Sequence, residues 1–311
     1  MEGNLSSNTA KKVFLWCVPR SVSTAVLKCM SNVAGVEAWH EPYAVSHVTT
    51  TLYNPTFMPD NVKLNKIRQK LFHPDPKLVE LAYSSLPRGR LQDQKLFSYS
   101  WVKEQLELNP PEGKNFVFVK DMAFAVRKIH GELPAGYRHT FLIRDPVAVF
   151  QSWKRLIATD MYRTEDVESV DINTDAPFFP IHEVFKDTYD LWKYAKEKGE
   201  ENPVVIDTDD LLNHPDVILP KYFKAIGVEF DEKYITWEKN RKIVEEWRGC
   251  FEVTAGGAIG GTYASALDSS CFKPSSRPKI DVSSLSSDLQ FCISESFPYY
   301  QELYKARLRV D

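Results

Sequence analysis

Four short apolar runs, each leading into a helix-like stretch, constrain the fold of this 311-residue chain more than any other feature. The runs read KKVFLWCV at 11–18, NFVFVK at 115–120, RHTFLIR at 138–144 and NPVVID at 202–207. Runs of this length that are rich in Val, Phe, Leu and Ile are typical of strands buried on both faces of a sheet. Their alternation with helices predicts an α/β fold, a single domain with a central parallel β-sheet flanked by helices.

The turn after the first run carries the most informative local pattern. Residues 19–24 read PRSVST, and a stretch with helical spacing of apolar residues follows. A strand, a tight turn and a helix N-terminus direct backbone N–H groups and the helix dipole at one place, which is an anion site. Arg20 adds a forked cation, and hydroxyl donors come from Ser21, Ser23 and Thr24. The pattern predicts a bound phosphate, although it lacks the glycines and lysine of an ATP-type P-loop; a serine-capped helix without ligand is the alternative.

A second pattern lies at the end of the third run, in FLIRDPVAVFQSW at 141–153. Arg144 ends the predicted strand, Asp145 can cap the helix that follows, and Pro146 suits the first turn of that helix. Ser152 comes about two helical turns after Asp145 and therefore shares its face of the helix. On the residues alone, a strand-end arginine paired with a nearby acid also explains this pattern.

The charge balance and the cysteines limit the kinds of partner. Lysine and arginine total 39 against 42 aspartates and glutamates, so the net charge of −3 favours neither a nucleic acid nor a membrane surface. Five cysteines without C-x-x-C spacing are typical of reduced thiols rather than of disulfides or a zinc site. The N-terminal stretch MEGNLSSNTAKK contains no apolar targeting segment. We therefore expect a cytoplasmic protein whose anion site is local, and the sequence leaves its oligomeric state open.

Together these segments resemble the sulfotransferases that use 3′-phosphoadenosine 5′-phosphosulfate (PAPS). The 5′-phosphate loop of that family has the pattern P-[KR]-S-G-[ST]-T, which residues 19–24 match except that Val22 replaces the usual Gly. The 3′-phosphate clamp of the family is an arginine followed eight residues later by a serine, the spacing of Arg144 and Ser152. The resemblance covers roughly residues 12–230. It implies the P-loop NTPase-like sulfotransferase fold, with PAPS as co-substrate, its bisphosphate PAP as product, and these two segments as the cofactor site.

The stretch VEAWHEPY at 36–43 provides the candidate base. Val36 to Trp39 predicts a short strand, so His40 and Glu41 lie at its C-terminal edge, where a parallel sheet presents the phosphate turn. In branches of the family with a P-R-S-type loop, a glutamate about twenty residues after the loop is the base, and Glu41 has that spacing. The alternatives are a helix-capping or salt-bridged surface acid at Glu41 and a neutral imidazole bonded to a backbone carbonyl at His40.

Lys120 is a further candidate, because it ends the run at 115–120. Vertebrate cytosolic members of the family have Lys-Thr-His here with the histidine as base, but this chain has Met122 at the histidine position. Methionine cannot transfer a proton, which favours Glu41 or His40. Together with Arg20, Lys120 can stabilise charge on the transferring sulfuryl group. The alternative is a cation that pairs with Asp121 or with a helix end.

The resemblance is looser elsewhere. A third segment, DTDDLLNHPDVILPKYFKAIGVEF at 207–230, matches a family motif, but Thr208 stands where many relatives place an adenine-contacting tyrosine. Arg248-Gly249 and Arg277 are candidates to complete the 3′-phosphate site. We expect residues 1–11 to be flexible and 254–279, a low-complexity stretch, to form a mobile loop.

The sequence therefore predicts a sulfotransferase that moves a sulfuryl group from PAPS to a hydroxyl of a small-molecule acceptor. No H-x-x-H pattern or carboxylate cluster suggests a metal. Two alternatives stay open: a P-loop-type nucleotide kinase, and a catalytically inactive member that binds nucleotide. The acceptor itself is not predicted, and no nucleic acid or membrane partner is expected.

Overall fold

Six strands form one parallel sheet in the part of the chain that the computed structural model describes, residues 10–72, 76–239, 241–259, 261–275 and 280–311. The strands are β1 Lys11–Cys17, β2 Val36–His40, β3 Phe116–Met122, β4 Arg138–Ile143, β5 Val205–Asp207 and β6 Trp247–Gly249. Their order across the sheet is β5-β4-β1-β3-β2-β6, and all neighbours pair in parallel. The predicted α/β class with a central parallel sheet is confirmed.

Helices cover both faces of this sheet. Within the described ranges they are α1 Ser23–Met30, α2 Pro42–Thr51, α3 Val62–Phe72, α4 Pro76–Ser85, α5 Tyr99–Glu107, α6 Pro146–Leu156, α7 Val184–Glu197, α8 Thr208–Asn213, α9 Pro215–Ile226, α10 Phe251–Ile259, α11 Ala264–Leu267 and α12 Ser287–Lys305. A π-helix, Ile157–Tyr162, directly continues α6. None of the described helices combines the length and apolar composition needed to cross a membrane.

The strands are apolar on both sides because each side faces a separate core. In β1, Phe14 and Trp16 belong to the core on one face, while Val13, Leu15 and Cys17 belong to the core on the other face. Successive side chains of a strand point to opposite faces, so only a continuous apolar run can fill both cores. This is the physical reason for the uninterrupted runs in the sequence.

The strand register brings the carboxyl ends of four strands to one edge. Cys17 of β1 lies beside Met122 of β3 and Leu142 of β4, and His40 of β2 lies beside Lys120 of β3. The turn after β1, the end of β2 and the start of α6 therefore meet at the same edge. This is where ligands bind in open parallel sheets.

The structure differs from the sequence predictions in three segments. β6 has only three residues and no apolar run, so no pattern indicated it. The expected loop 254–279 is helical in parts, which are α10 and α11. Gly257 of α10 allows the segment to pack closely, since a Cβ at this position would lie 2.3 Å from the ring of Tyr263. Residues 1–9, residue 260 and residues 276–279, which include the candidate Arg277, lie outside the described residues. Lys11, expected in a flexible N-terminal stretch, is the first residue of β1.

A buried aspartate of β3 joins the sheet to α2. Asp121 is fully buried, and its carboxylate accepts from the backbone N–H groups of Tyr43 at 2.6 Å, Ala44 at 3.0 Å and Met122 at 2.8 Å. The first N–H groups of a helix have no partner within the helix itself. Asp121 therefore caps α2 from a neighbouring strand and fixes the residues that precede α2.

We predict that Asp121→Ala lowers the free energy of unfolding by about 3 kcal/mol, because it leaves buried N–H groups without an acceptor. Urea denaturation followed by circular dichroism measures this change. Asp190→Ala is the control, since Asp190 forms a surface ion pair with Lys186, and its loss is expected to cost less than about 1 kcal/mol. Equal losses in the two variants would contradict the capping role.

Candidate active site

The turn after β1 has an unusual backbone. Arg20 and Val22 both have positive φ, at 64° and 55°, and Val22 is the N-cap residue of α1. A β-branched residue rarely adopts this conformation, which glycine adopts without steric cost. Val22 thus takes the left-handed conformation at the position where the sulfotransferase pattern has Gly. The amino end of α1 opens onto a cavity that Val22, Ser23 and Thr24 line.

The hydroxyl of Ser21 is directed away from this cavity. Ser21 is fully buried, and its Oγ donates to the carbonyl of Val18 at 2.7 Å. The hydroxyl of Thr208 lies 3.1 Å from the carbonyl oxygen of Ser21 and 2.8 Å from that of Ile143. These contacts hold the turn in place, so the hydroxyl predicted as a phosphate donor has a structural partner in this conformation.

The two predicted phosphate segments come together. Nε of Arg20 donates to Oγ of Ser152 at 3.0 Å, and Nη1 of Arg144 donates to the carbonyl oxygen of Arg20 at 2.5 Å. All three side chains line the same cavity. Two arginines and a serine from segments more than 120 residues apart therefore surround one space, beside the amino end of α1. This is a cationic, donor-rich arrangement suited to an anion.

Glu41 lies on the same cavity, directly after β2. Its φ of 54° is left-handed, and its N–H donates to the carbonyl of Lys120 at 2.8 Å. Nζ of Lys120 forms a buried ion pair with Oε1 of Glu41, and the hydroxyl of Tyr263 donates to Oε2 at 2.6 Å. Glu41 and Lys120 both line the cavity, and Glu41 is only 3% exposed.

The partners of Glu41 decide its protonation state. Burial by itself would raise the pKa of the Glu41 carboxyl, but the ammonium of Lys120, the neighbouring His40, and hydrogen bonds from Lys120 and Tyr263 lower this pKa to about 2. Glu41 is therefore a carboxylate at neutral pH, and both of its oxygens have a donor. A carboxylate held in this way is a weak base until one of its donors moves.

His40 is close to Glu41 but is not among the residues that line the cavity. Its Nδ1 lies 3.2 Å from Oγ1 of Thr254, and its Nε2 lies 3.7 Å from Oε1 of Glu41. The ring is packed against Trp247 and Tyr263. Burial lowers the pKa of His40 to about 4, with a contribution from Lys120 that Glu41 opposes. The imidazole is therefore neutral at physiological pH.

The cavity at this edge has a volume of about 510 Å³. Of the predicted site residues, it is lined by Arg20, Val22, Ser23, Thr24, Glu41, Lys120, Arg144 and Ser152. His40 and Ser21 lie behind its wall. Arg248, a candidate for the 3′-phosphate, lies elsewhere: its guanidinium stacks on Trp39, 4.8 Å from the ring centre, and it lines a different, smaller cavity.

Sequence reasoning missed the segment that carries Tyr263. The carbonyl of Thr262 accepts from Nη1 of Arg20 at 3.2 Å, and the Thr262 hydroxyl donates to the carboxylate of Asp160 at 3.2 Å. Lys28 of α1 is buried and donates to the carbonyl of Ser269 at 2.9 Å and to that of Leu267. The segment 262–269 thus lies over the turn and α1. Its only local signal was an aromatic residue beside a glycine-rich stretch.

Comparison with known proteins gives few matches. No family model matches the chain, and no curated protein matches it. Among solved structures, it is similar to the sulfotransferase domain of the curacin biosynthetic pathway, with 11% identity and a TM-score of 0.43 over 92% of this chain and 98% of that one. It is also similar to the sulfotransferase domain of the Synechococcus PCC 7002 olefin synthase, with 14% identity and a TM-score of 0.46 over 94% and 95%.

We predict that burial of His40 makes stability pH-dependent. An unfolded histidine titrates near pH 6.5, whereas the pKa of His40 in the folded chain is about 4. The unfolded state therefore binds more protons between these values, and the free energy of unfolding falls as the pH falls from about 6.5 to 4. Replacing His40 with Gln should make that slope shallower by up to about 1.4 kcal/mol per pH unit. Urea titrations at several pH values measure both slopes; identical slopes would contradict the buried neutral imidazole.

Proposed function

We propose that this chain is a PAPS-dependent sulfotransferase that transfers the sulfuryl group to a hydroxyl of a small molecule. One observation carries the proposal: the turn after β1, the Arg144–Ser152 pair and the Glu41–Lys120 pair line a single cavity. Sulfuryl transfer needs an anion-binding site for the donor, a base for the acceptor hydroxyl, and a cation near the sulfuryl group that is transferred. Side chains suited to each of these three tasks line the cavity.

The donor is held at the end of the cavity where α1 begins. The amino end of α1, with Ser23 and Thr24, and the guanidinium of Arg20 bind the 5′-phosphate side. Arg144 and Ser152 bind the second phosphate. The backbone of Ser21 and Val22 belongs to the same turn. Anions favour this placement because the helix dipole and the two guanidiniums act on the same space.

Glu41 is the base in this proposal. Its carboxylate takes the proton of the acceptor hydroxyl while the acceptor oxygen forms a bond to sulfur. The bond from sulfur to the bridging oxygen breaks, and its electron pair stays on the 5′-phosphate of the bisphosphate product. His40 was the other candidate from the sequence; Glu41 is favoured because it lines the cavity and His40 does not.

Lys120 connects donor binding to the strength of the base. Its ammonium pairs with Oε1 of Glu41. The sulfuryl oxygens of the donor, which the bisphosphate product lacks, compete for that ammonium, since Lys120 lines the same cavity. When Lys120 turns to the donor, Glu41 loses its largest stabilising charge, and the pKa of its carboxyl rises toward the ordinary range. The base thus becomes stronger when the donor is in place.

The two alternative functions, a nucleotide kinase and a catalytically inactive nucleotide-binding protein, predict different ligands. A nucleotide kinase would need ATP rather than the bisphosphate, and the turn has no lysine of the P-loop kind. A catalytically inactive member would bind the bisphosphate without turnover. A cytoplasmic location and reduced cysteines remain part of the proposal.

We predict that adenosine 3′,5′-bisphosphate raises the melting temperature of the protein and that AMP and ATP raise it less, because only the bisphosphate engages both anion-binding segments. Arg144→Met should abolish most of this shift. Arg248→Met is the matched control, since Arg248 does not line the cavity, and it should keep the shift. A thermal-shift assay measures all of these; a shift with ATP alone would refute the proposal in favour of the kinase.

We predict that Glu41→Gln lowers kcat by about 10²-fold or more while the affinity for adenosine 3′,5′-bisphosphate stays near that of the wild type, since the amide cannot accept the proton. Release of the bisphosphate from PAPS with an acceptor present measures turnover. Glu37→Gln is the control: Glu37 is a buried acid of β2, pairs with Arg90 and does not line the cavity. A larger loss in His40→Gln than in Glu41→Gln would reverse the assigned roles.

A further inference from the structure

The cavity has one wall that the phosphate and base residues do not explain. This wall is apolar, and it comes from α2, the end of β3, α6, α10 and the two positions Phe124 and Phe179. Its members are Ala44, Val45, Val48, Met122, Phe124, Trp153, Leu156, Phe179 and Val253. None of these side chains carries a charge. The one side-chain nitrogen among them, Nε1 of Trp153, is buried and has no hydrogen-bond partner among the described residues.

The aromatic members of this wall pack as a cluster. The ring of Phe179 meets the rings of Phe124 and Trp153 edge to face, with both pairs of ring centres 5.2 Å apart. His47 closes the back of the cluster, since its ring lies 5.3 Å from that of Phe124 and its Nε2 lies 2.7 Å from the carbonyl oxygen of Phe178. The cluster is therefore supported from behind and presents ring surface to the cavity.

Residues of the apolar wall are close in sequence to the candidate reactive and phosphate-binding residues. Glu41 immediately precedes α2, whose Val45 and Val48 line the wall. Met122 follows Lys120 by two residues, and Trp153 follows Ser152 directly. The opposite wall is mixed: hydroxyl groups and a lysine come from Thr262, Ser265, Ser269 and Lys273, and apolar contacts come from Leu212, Ala266 and Phe272. The cavity thus has a side with polar and charged groups beside α1 and a wholly apolar side beside α2, with the Glu41–Lys120 pair between them.

The chemistry of the two sides suits two different ligands. A sugar in the apolar part would leave several hydroxyl groups without partners, and burying an unpaired hydroxyl is unfavourable. An aromatic or aliphatic body gains from leaving water, and a ring also gains from edge contacts with the aromatic cluster. The charged donor belongs on the polar side for the same reason.

We propose that the apolar wall is the acceptor site and that the acceptor is an apolar phenol or alcohol rather than a carbohydrate. The inference rests on the proposed function for the reaction, but the binding site itself can be tested without it. The acceptor's hydroxyl faces Glu41, and its apolar body lies against α2 and the aromatic cluster.

Isothermal titration calorimetry of 2-naphthol binding to the full chain tests the site directly. The titration is done with and without adenosine 3′,5′-bisphosphate. We expect saturable binding in both titrations. Val48→Asn, which puts an amide into the wall, should weaken 2-naphthol binding about ten-fold. Val62→Asn is the matched control: Val62 lies on a helix as well, is 68% exposed and is not part of the cavity, so the affinity should not change. Equal affinities in the two variants, or no binding to the wild type, would overturn the inference.

Turnover of PAPS with a panel of acceptors gives a second readout. We expect release of the bisphosphate with 2-naphthol and 1-octanol, and at least ten-fold less with glucose and N-acetylglucosamine. Preferential sulfation of the sugars would overturn the inference and leave the proposed reaction intact. Binding of 2-naphthol without any binding of the bisphosphate would support the apolar site and refute the proposed reaction.

Discussion

The buried ion pair between Lys120 and Glu41 is the interaction on which the arrangement of the site depends. Both side chains are almost inaccessible to solvent, and two charges in such a place are tolerated only when each is paired and hydrogen-bonded. The parallel register of β2 and β3 brings the two residues side by side, and Tyr263 supplies the second donor to the carboxylate. Because loss of one partner would leave the other charge buried alone, both the sheet and the segment around Tyr263 are needed for a stable site.

Backbone strain is concentrated at the same edge. Of the five non-glycine residues with positive φ in the described ranges, three line this one cavity: Arg20, Val22 and Glu41. A left-handed residue other than glycine costs about 1–2 kcal/mol, and such residues cluster at active sites and ligand-binding sites. The backbone thus marks the site independently of the side-chain pattern. It also shows that the valine at the usual glycine position is accommodated, because contacts to Ser21 hold the turn.

The sequence predicted the frame of the site and missed part of its surface. Four apolar runs predicted β1, β3, β4 and β5, because a strand buried on both faces leaves a continuous local signal. The short stretch Val36 to Trp39 predicted β2, whereas β6 has only three residues and leaves no such signal. The turn at 19–24 and the segment at 141–153 were predicted to share one cofactor site, and the structure places Arg20 of the first in contact with Ser152 of the second. Tyr263 could not be predicted, since nothing local indicates that an aromatic residue 222 positions away reaches Glu41. The direction of the Ser21 hydroxyl was equally inaccessible, because it depends on a carbonyl inside the turn.

The site is assembled from distant parts of the chain, and this has a consequence for folding. The residues around the cavity come from β2, β3, the turn after β1, α6 and the segment over α1, so nearly every contact between them closes a long loop. Long-range contacts form only after the entropy of ordering the intervening chain has been overcome. A partly folded chain that has formed only its local helices therefore has no cavity and no paired glutamate. Ligand binding at this edge consequently reports on completion of the whole sheet, and it can serve as a probe of the last step of folding.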